Sequence, residues 1–262
     1  MVVNVITRHA PTNYGSLLQA IATQRVIMNL GYECRIINYI PKCETGVRMA
    51  ITQLEQKTKW RRNPIKKAIY LMVAEPETLL MDRKFLAMRK KYLLMGPRCA
   101  TTGELKKLYA EKKDEVFLTG SDQVWGPIST GHYDPTYFLD FAPKSSRKLA
   151  FAASFGKAIF DEQTLKEYGV LLKKYDSLAV RENVAVELLK KMDISAKQVL
   201  DPTLLMDADA WSEYVKPMKK PEKYVLVYQI HANSDLDHYA VKFAEKAELP
   251  LLRVSPLLHQ AK

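Results

Sequence analysis

The feature that most constrains this chain is a repeated alternation of short apolar runs with stretches of helical periodicity. VVNVIT (2–7) reads as a strand, and SLLQAIATQRVIMNLG (16–31) as a helix closed by Gly31. CRIINYI (34–40) is the next strand, with Pro41 at its exit. Helical periodicity follows in WRRNPIKKAIYLMVA and LLMDRKFLAMRKKYLL, then in GELKKLYAEK (103–112), which leads into the strand EVFLTG. KLAFAAS (148–154), SLAVRE (177–182) and KQVLDP are further strands, separated by the helical stretches DEQTLKEYGVLLKKY and NVAVELLKKMD. Strands that alternate with helices pair in parallel through right-handed crossovers. The predicted class is therefore α/β, a doubly wound, mostly parallel Rossmann-like sheet.

Domain boundaries follow from the same reading. Residues 1–216 form one Rossmann-like domain, carrying a basic helical insertion at about 46–113. Pro217 and Pro221 flank the lysine-rich PMKKP, so 217–223 is read as a hinge. YVLVYQI (224–230), a helix over DHYAVKFAEKAE and LPLLRVS then open a second α/β unit within 224–262. A doubly wound domain usually needs about 100 residues or more, so the second domain is expected to be truncated.

The net charge of +11 is concentrated in one place. Arg48 to Lys113 holds 17 basic and 6 acidic side chains, which accounts for the whole excess. Such a segment is either a solvated helical face or a surface for polyanions, including an anionic membrane. It lacks aromatic interleaving and any nucleic-acid motif, so nucleic acid is not an expected partner. Cys34, Cys43 and Cys99 lie far apart with no paired spacing, which argues against a disulfide scaffold and a zinc site. No metal ligand set is expected. The N-terminus shows no basic leader and long apolar stretch, and no apolar run approaches the ~20 residues of a spanning helix. A reducing, cytoplasmic setting is the expectation.

In open parallel sheets ligands bind beyond the carboxyl ends of the strands, and polar residues gather there. After the first strand come His9 and then Asn13, Tyr14, Gly15 and Ser16, opening directly into a helix. That stretch fits an anion held by helix-start amides, and it fits plain capping by Asn13 or Ser16 equally well. EVFLTG delivers Gly120, Ser121, Asp122 and Gln123; KLAFAA delivers Ser154 and Gly156; SLAV delivers Arg181 and Glu182; QVL delivers Asp201. One such loop would be a turn, whereas five suggest a cleft. Arg181 suits a carboxylate or phosphate, with an ion pair to Glu182 or another carboxylate as the alternative. Asp122 either orients a hydroxyl and takes its proton or makes an Asx turn. His9 is the one histidine placed at this edge and the candidate acid or base.

The blocks NYGSLLQAIATQ (13–24), GSDQVW (120–125), YFLDF (137–141), KLAFAASFG (148–156), SLAVRE with VAVELL (177–189) and VLDPTLL (199–205) occur in this order. Together they resemble the polysaccharide pyruvyl transferase family, to about residue 215. The resemblance implies a GT-B-like arrangement of two Rossmann-like halves. It implies transfer of a pyruvyl group from phosphoenolpyruvate to hydroxyls of a cell-surface glycan or its lipid-linked precursor, forming a ketal, with no cofactor beyond that donor. Arg181 falls at the family arginine associated with the donor anion, and the NYGS and GSDQVW loops line the same cleft. A lipid-linked acceptor would place the protein at the inner membrane face. The family's second-half loop with histidine has no counterpart before Lys262, and His259 does not match it. The alternatives are a GT-B glycosyltransferase using a nucleotide sugar and a non-catalytic remnant; oligomeric state is open.

Overall fold

A computed structural model describes residues 1–44, 51, 79–157, 159–229 and 233–254. The chain divides into two compact units, Met1–Asp207 and Ala208–Lys262. Much of the basic insertion, including WRRNPIKKAIYLMVA, lies outside the described residues, as do His231 and His259.

The first unit is built on six parallel strands: β1 (Val2–Ile6), β2 (Glu33–Ile36), β3 (Val116–Thr119), β4 (Arg147–Ala153), β5 (Ser177–Val180) and β6 (Lys197–Gln198). Their spatial order is β2-β1-β3-β4-β5-β6. The helices are α1 (Tyr14–Asn29), α2 (residues 79–92), α3 (Thr102–Tyr109), α4 (Glu162–Leu172) and α5 (Asn183–Lys190). This is the doubly wound, Rossmann-like α/β fold. The chain reverses its direction of winding between β1 and β3, so the topological switch point lies there.

β1 and β3 are buried along both faces: Val3, Asn4, Val5 and Ile6 on β1 and all of Val116–Thr119 on β3. Helices on both sides of a parallel sheet produce this pattern. The core centres on aromatic rings behind the third and fourth strands. Trp125 is fully buried, its ring 5.8 Å from that of Phe138 and 5.0 Å from that of Phe155. The Tyr168 hydroxyl donates to the Trp125 carbonyl at 2.6 Å. Rings of this size supply most of the apolar area that such a core removes from water.

Element ends shift slightly from the sequence reading. α1 begins two residues early because Asn13 caps it, accepting from the amides of Gly15 at 2.7 Å and Ser16 at 3.3 Å. β2 stops at Ile36 instead of continuing to Ile40, because Ile36 and Tyr39 turn to make isolated bridges with Met95 and Cys99. The second unit contains α6 (Ala208–Ser212), β7 (Val225–Tyr228), α7 (Ser234–Ala247) and β8 (Leu251–Val254), with β7 and β8 paired in parallel. Asn233 caps α7 through the amides of Asp235 and Leu236, and α7 covers Val227 with Ala240 and Ala244 buried.

Candidate active site

The carboxyl ends of β1, β3, β4 and β5 converge on a compact polar cluster beside the switch point. β3 ends in Gly120, whose φ of +121° suits only glycine. A Cβ there would lie 2.1 Å from the Phe151 carbonyl oxygen, so β4 passes too close for any side chain. Ser121 follows, fully buried, with its Oγ 3.1 Å from both the Ala152 carbonyl and Asp201 Oδ2. Its own carbonyl accepts from Thr7 Oγ1 at 2.9 Å, which ties the ends of β1 and β3 together.

Asp122 adopts a left-handed backbone, φ +77°, a region that aspartate tolerates better than most residues. Its carbonyl accepts from the amides of Val124 at 2.7 Å and Ser154 at 3.0 Å. With the backbone held this way, the carboxylate faces the start of α1, where Ser16 Oγ donates to Oδ2 at 3.0 Å. The Arg181 guanidinium lies 3.9 Å from Oδ1. Gln19 supports this corner from below, donating to Thr7 Oγ1 and the Ser16 carbonyl, both at 2.8 Å.

Arg181 is the hub of the cluster. Its Nε donates to Glu182 Oε1 at 2.7 Å and its Nη1 to Asp201 Oδ2 at 3.1 Å. Asp201 is anchored in turn by the amide of Thr203 at 3.0 Å and its hydroxyl at 2.7 Å, as the cap of a 3-10 turn (Pro202–Leu205) that packs against α1. Burial pushes the Asp201 carboxyl up, but the hydrogen bonds from Thr203, Arg181 and Ser121 outweigh it and hold the pKa below the ordinary carboxylate value. Burial pulls the Arg181 guanidinium down, and the bonds to Glu182 and Asp201 more than restore it, leaving it raised. Three carboxylates surround one guanidinium, a formal balance of −2. Such a cluster is rich in acceptors for hydroxyl groups, and Asp122 and Glu182 each accept one short side-chain bond where Asp201 accepts several.

The residues singled out in the sequence fall into four groups. Ser16, Ser121, Asp122, Arg181, Glu182 and Asp201 form the single network just described. Gln123, Ser154, Gly156 and Glu182 line an adjoining cavity of about 240 Å³, together with Lys157 and Val184. There the Ser154 Oγ accepts from the Gly156 amide at 3.0 Å, and Gly156 has φ +68° with the Gln123 side chain where its Cβ would be. Asn13, Tyr14 and Gly15 belong to the helix start: Asn13 and Gly15 make the cap, and Tyr14 packs on Phe85 of α2 with ring centroids 4.9 Å apart. The Asn13 side chain caps this start through the amides of Gly15 and Ser16.

His9 stands apart. It is 1% exposed, with Nδ1 3.2 Å from the Thr7 carbonyl and Nε2 3.4 Å from Asn38 Oδ1. Burial holds its pKa below the ordinary value, favouring the neutral ring. The Thr7 carbonyl and Asn38 Oδ1 are both acceptors, so the neutral ring donates to one of them at a time, and its burial sets it apart from the Arg181 cluster. The Arg181 Nε and Nη1 bond Glu182 and Asp201, and Nη2 makes no hydrogen bond among the described residues.

Thr7, Gln19 and Thr203 were not singled out in the sequence, although the Asp-Pro-Thr run at 201–203 carries a capping signature. Arg89 of α2 was also missed: 8% exposed, it donates to the carbonyls of His9 and Ala10 and pins the loop after β1. Among the described residues no group of three or more histidine, cysteine, aspartate or glutamate side chains has the geometry to hold a metal ion. No helix among them is long and apolar enough to cross a membrane.

A Rossmann-like sheet with carboxylates and an arginine gathered at its carboxyl edge defines a doubly wound α/β protein with a polar cluster at the switch point. Residues 13–255 match the polysaccharide pyruvyl transferase family, and the chain belongs to it. Comparison with curated proteins and with solved structures yields no match.

Proposed function

We propose that this chain transfers a pyruvyl group from phosphoenolpyruvate to two hydroxyls of a cell-surface glycan or its lipid-linked precursor, forming a cyclic ketal. The observation that carries this reading is the joined cluster of Asp122, Ser16, Arg181 and Asp201 at the switch point, in a chain of this family. Protonation of the enol carbon makes the adjacent carbon electron-poor, and one acceptor hydroxyl attacks it. Asp122 takes the proton of that hydroxyl, with Ser16 fixing the carboxylate's orientation. Phosphate leaves, and the second hydroxyl closes the ring, its proton passing to the departing phosphate. Arg181 Nη2 is the contact offered to the donor anion, and Glu182 and Asp201 keep the guanidinium aimed.

The reaction requires an acid, a base and anion contacts, and no redox step. A lipid-linked acceptor places the work at the cytoplasmic membrane face. The test is calorimetric titration of the full chain with phosphoenolpyruvate and separately with nucleotide sugars. Saturable binding of phosphoenolpyruvate, weakened at least tenfold by Arg181→Ala, is the expected result. Preference for a nucleotide sugar would replace this reading with a glycosyltransferase, and binding of neither would leave a non-catalytic remnant.

A further inference from the structure

On the outer helical layer of the first unit, a groove of about 520 Å³ runs between α4 and the end of α5. Its floor is apolar, formed by Leu165, Gly169, Val170 and Met192, and three lysines, Lys166, Lys173 and Lys191, stand around it with one carboxylate, Glu162, for a rim of net charge +2. The volume lies within the roughly 300–1,000 Å³ typical of clefts that hold a ligand. Val170, on the groove side of α4, is 66% exposed, while Tyr168 and Leu172 on its other side are buried.

Two features of the groove bear on what it could take. None of the three lysines forms an ion pair among the described residues, whereas the adjacent Lys174 is bound to Asp140 at 3.0 Å. Gly169 lies inside α4, where glycine is less favourable than alanine. A Cβ there would meet only Met192 Sδ, at an ordinary 3.9 Å, so the packing of the unit does not require the missing side chain. What its absence provides is depth in the groove.

We propose that this groove docks an acidic amphipathic helix of a partner protein. Apolar side chains of the partner, spaced i, i+4, i+7, enter over Gly169, and its aspartates and glutamates meet the three lysines. The flexible Met192 thioether suits a surface that adapts to such side chains. A flat anionic bilayer fits less well, because it would touch the lysine rim and leave the concave floor empty. The groove shares no residue with the Arg181 cluster, so the proposal stands independently of the reaction.

The experiment is selection of an unbiased library of displayed helical peptides on the full chain, followed by fluorescence anisotropy of the enriched peptides. The expected consensus has the apolar spacing above with acidic flanks, and its affinity falls with rising salt. Binding weakens at least tenfold in the Lys166→Glu, Lys173→Glu, Lys191→Glu triple variant and severalfold in Gly169→Ala, a change that α4 accommodates. Thermal unfolding of each variant checks that the fold persists. The proposal is overturned by the absence of a consensus, by a basic or neutral one, or by binding that ignores both variants. Equal groove-dependent binding to phosphatidylglycerol vesicles would overturn it in favour of a lipid surface.

Discussion

Asp201 joins the stability of the first unit to its candidate chemistry, and its replacement separates the two contributions. Asp201→Ala removes the cap on Thr203, the contact with Ser121 and the bond from Arg181 Nη1. A lost cap costs about 1 kcal/mol. The charge-assisted bonds would cost roughly 1.5–3 kcal/mol if fully buried. The side chains of Asp201 and Arg181 are 18% and 27% exposed, so solvent screening reduces that figure and the sum comes to about 3 kcal/mol. For a unit of this size such a loss lowers the melting temperature by roughly 6–12 °C. Asp201→Asn keeps a good capping side chain and loses only the charge, so it should cost about half as much.

The pH dependence provides a second reading of the same group. The folded pKa of Asp201 lies below its unfolded value, so its stabilisation is fully present above about pH 4 and is lost as pH falls through the folded value. The assay is urea unfolding followed by tryptophan fluorescence in a background where Trp60 and Trp211 are phenylalanine, leaving Trp125 as the probe. Wild type should lose stability below pH 4 more steeply than Asp201→Asn. An alanine variant within 0.5 kcal/mol of wild type, a margin typical of surface substitutions, would refute the network as a stabilising unit. An asparagine variant as costly as alanine would refute the division between cap and charge.

Asp122→Asn should lower pyruvyl transfer by about 10²–10⁴-fold while leaving the unfolding midpoint near wild type, since asparagine tolerates the same left-handed backbone; steady-state assays with phosphoenolpyruvate and a glycan acceptor measure it. Gly120→Ala should destabilise the first unit by about 3 kcal/mol or more, because the new Cβ meets the Phe151 carbonyl, and urea denaturation reads the loss. Burial keeps the folded pKa of His9 below its unfolded value of about 6.5, so stability should be full above that pH and decline as the pH falls through the folded value. Unfolding midpoints measured from pH 8 to 5 should show this slope, and His9→Gln should flatten it. Association with anionic liposomes should be salt-sensitive and lost on neutralising Lys66, Lys67, Lys90 and Lys91, as measured by co-sedimentation.

The strand and helix pattern was legible because a parallel sheet needs apolar runs at regular intervals, and each run stood out against its helical neighbours. Individual site roles were harder to read. His9 follows a strand buried on both faces, so the alternation that normally separates inside from outside carried no information there. For Arg181 the sequence shows a place at the end of a strand beside Glu182, but not which of its nitrogens the carboxylates take. Asp201 lies 20 positions downstream, and the pairing of β6 with β5 brings it into reach of Arg181. The cap at Asn13 was legible in part, since the same residues serve a helix start and an anion site. The basic segment was visible as charge alone, and most of it lies outside the described residues.

The burial of Trp125 has a consequence for how the candidate site adapts to its substrates. Three residues after Asp122 the chain is locked into the aromatic core, and the Trp125 amide bonds to the Ser154 carbonyl at 3.1 Å. Opening that loop means extracting the indole from its ring contacts, so its amides exchange with solvent only when much of the unit opens. The carboxylate of Asp122 is therefore held on ground as firm as the sheet itself. Adaptation at the candidate site rests with the side chains around it, the exposed Gln123 and the half-buried Glu182 and Arg181.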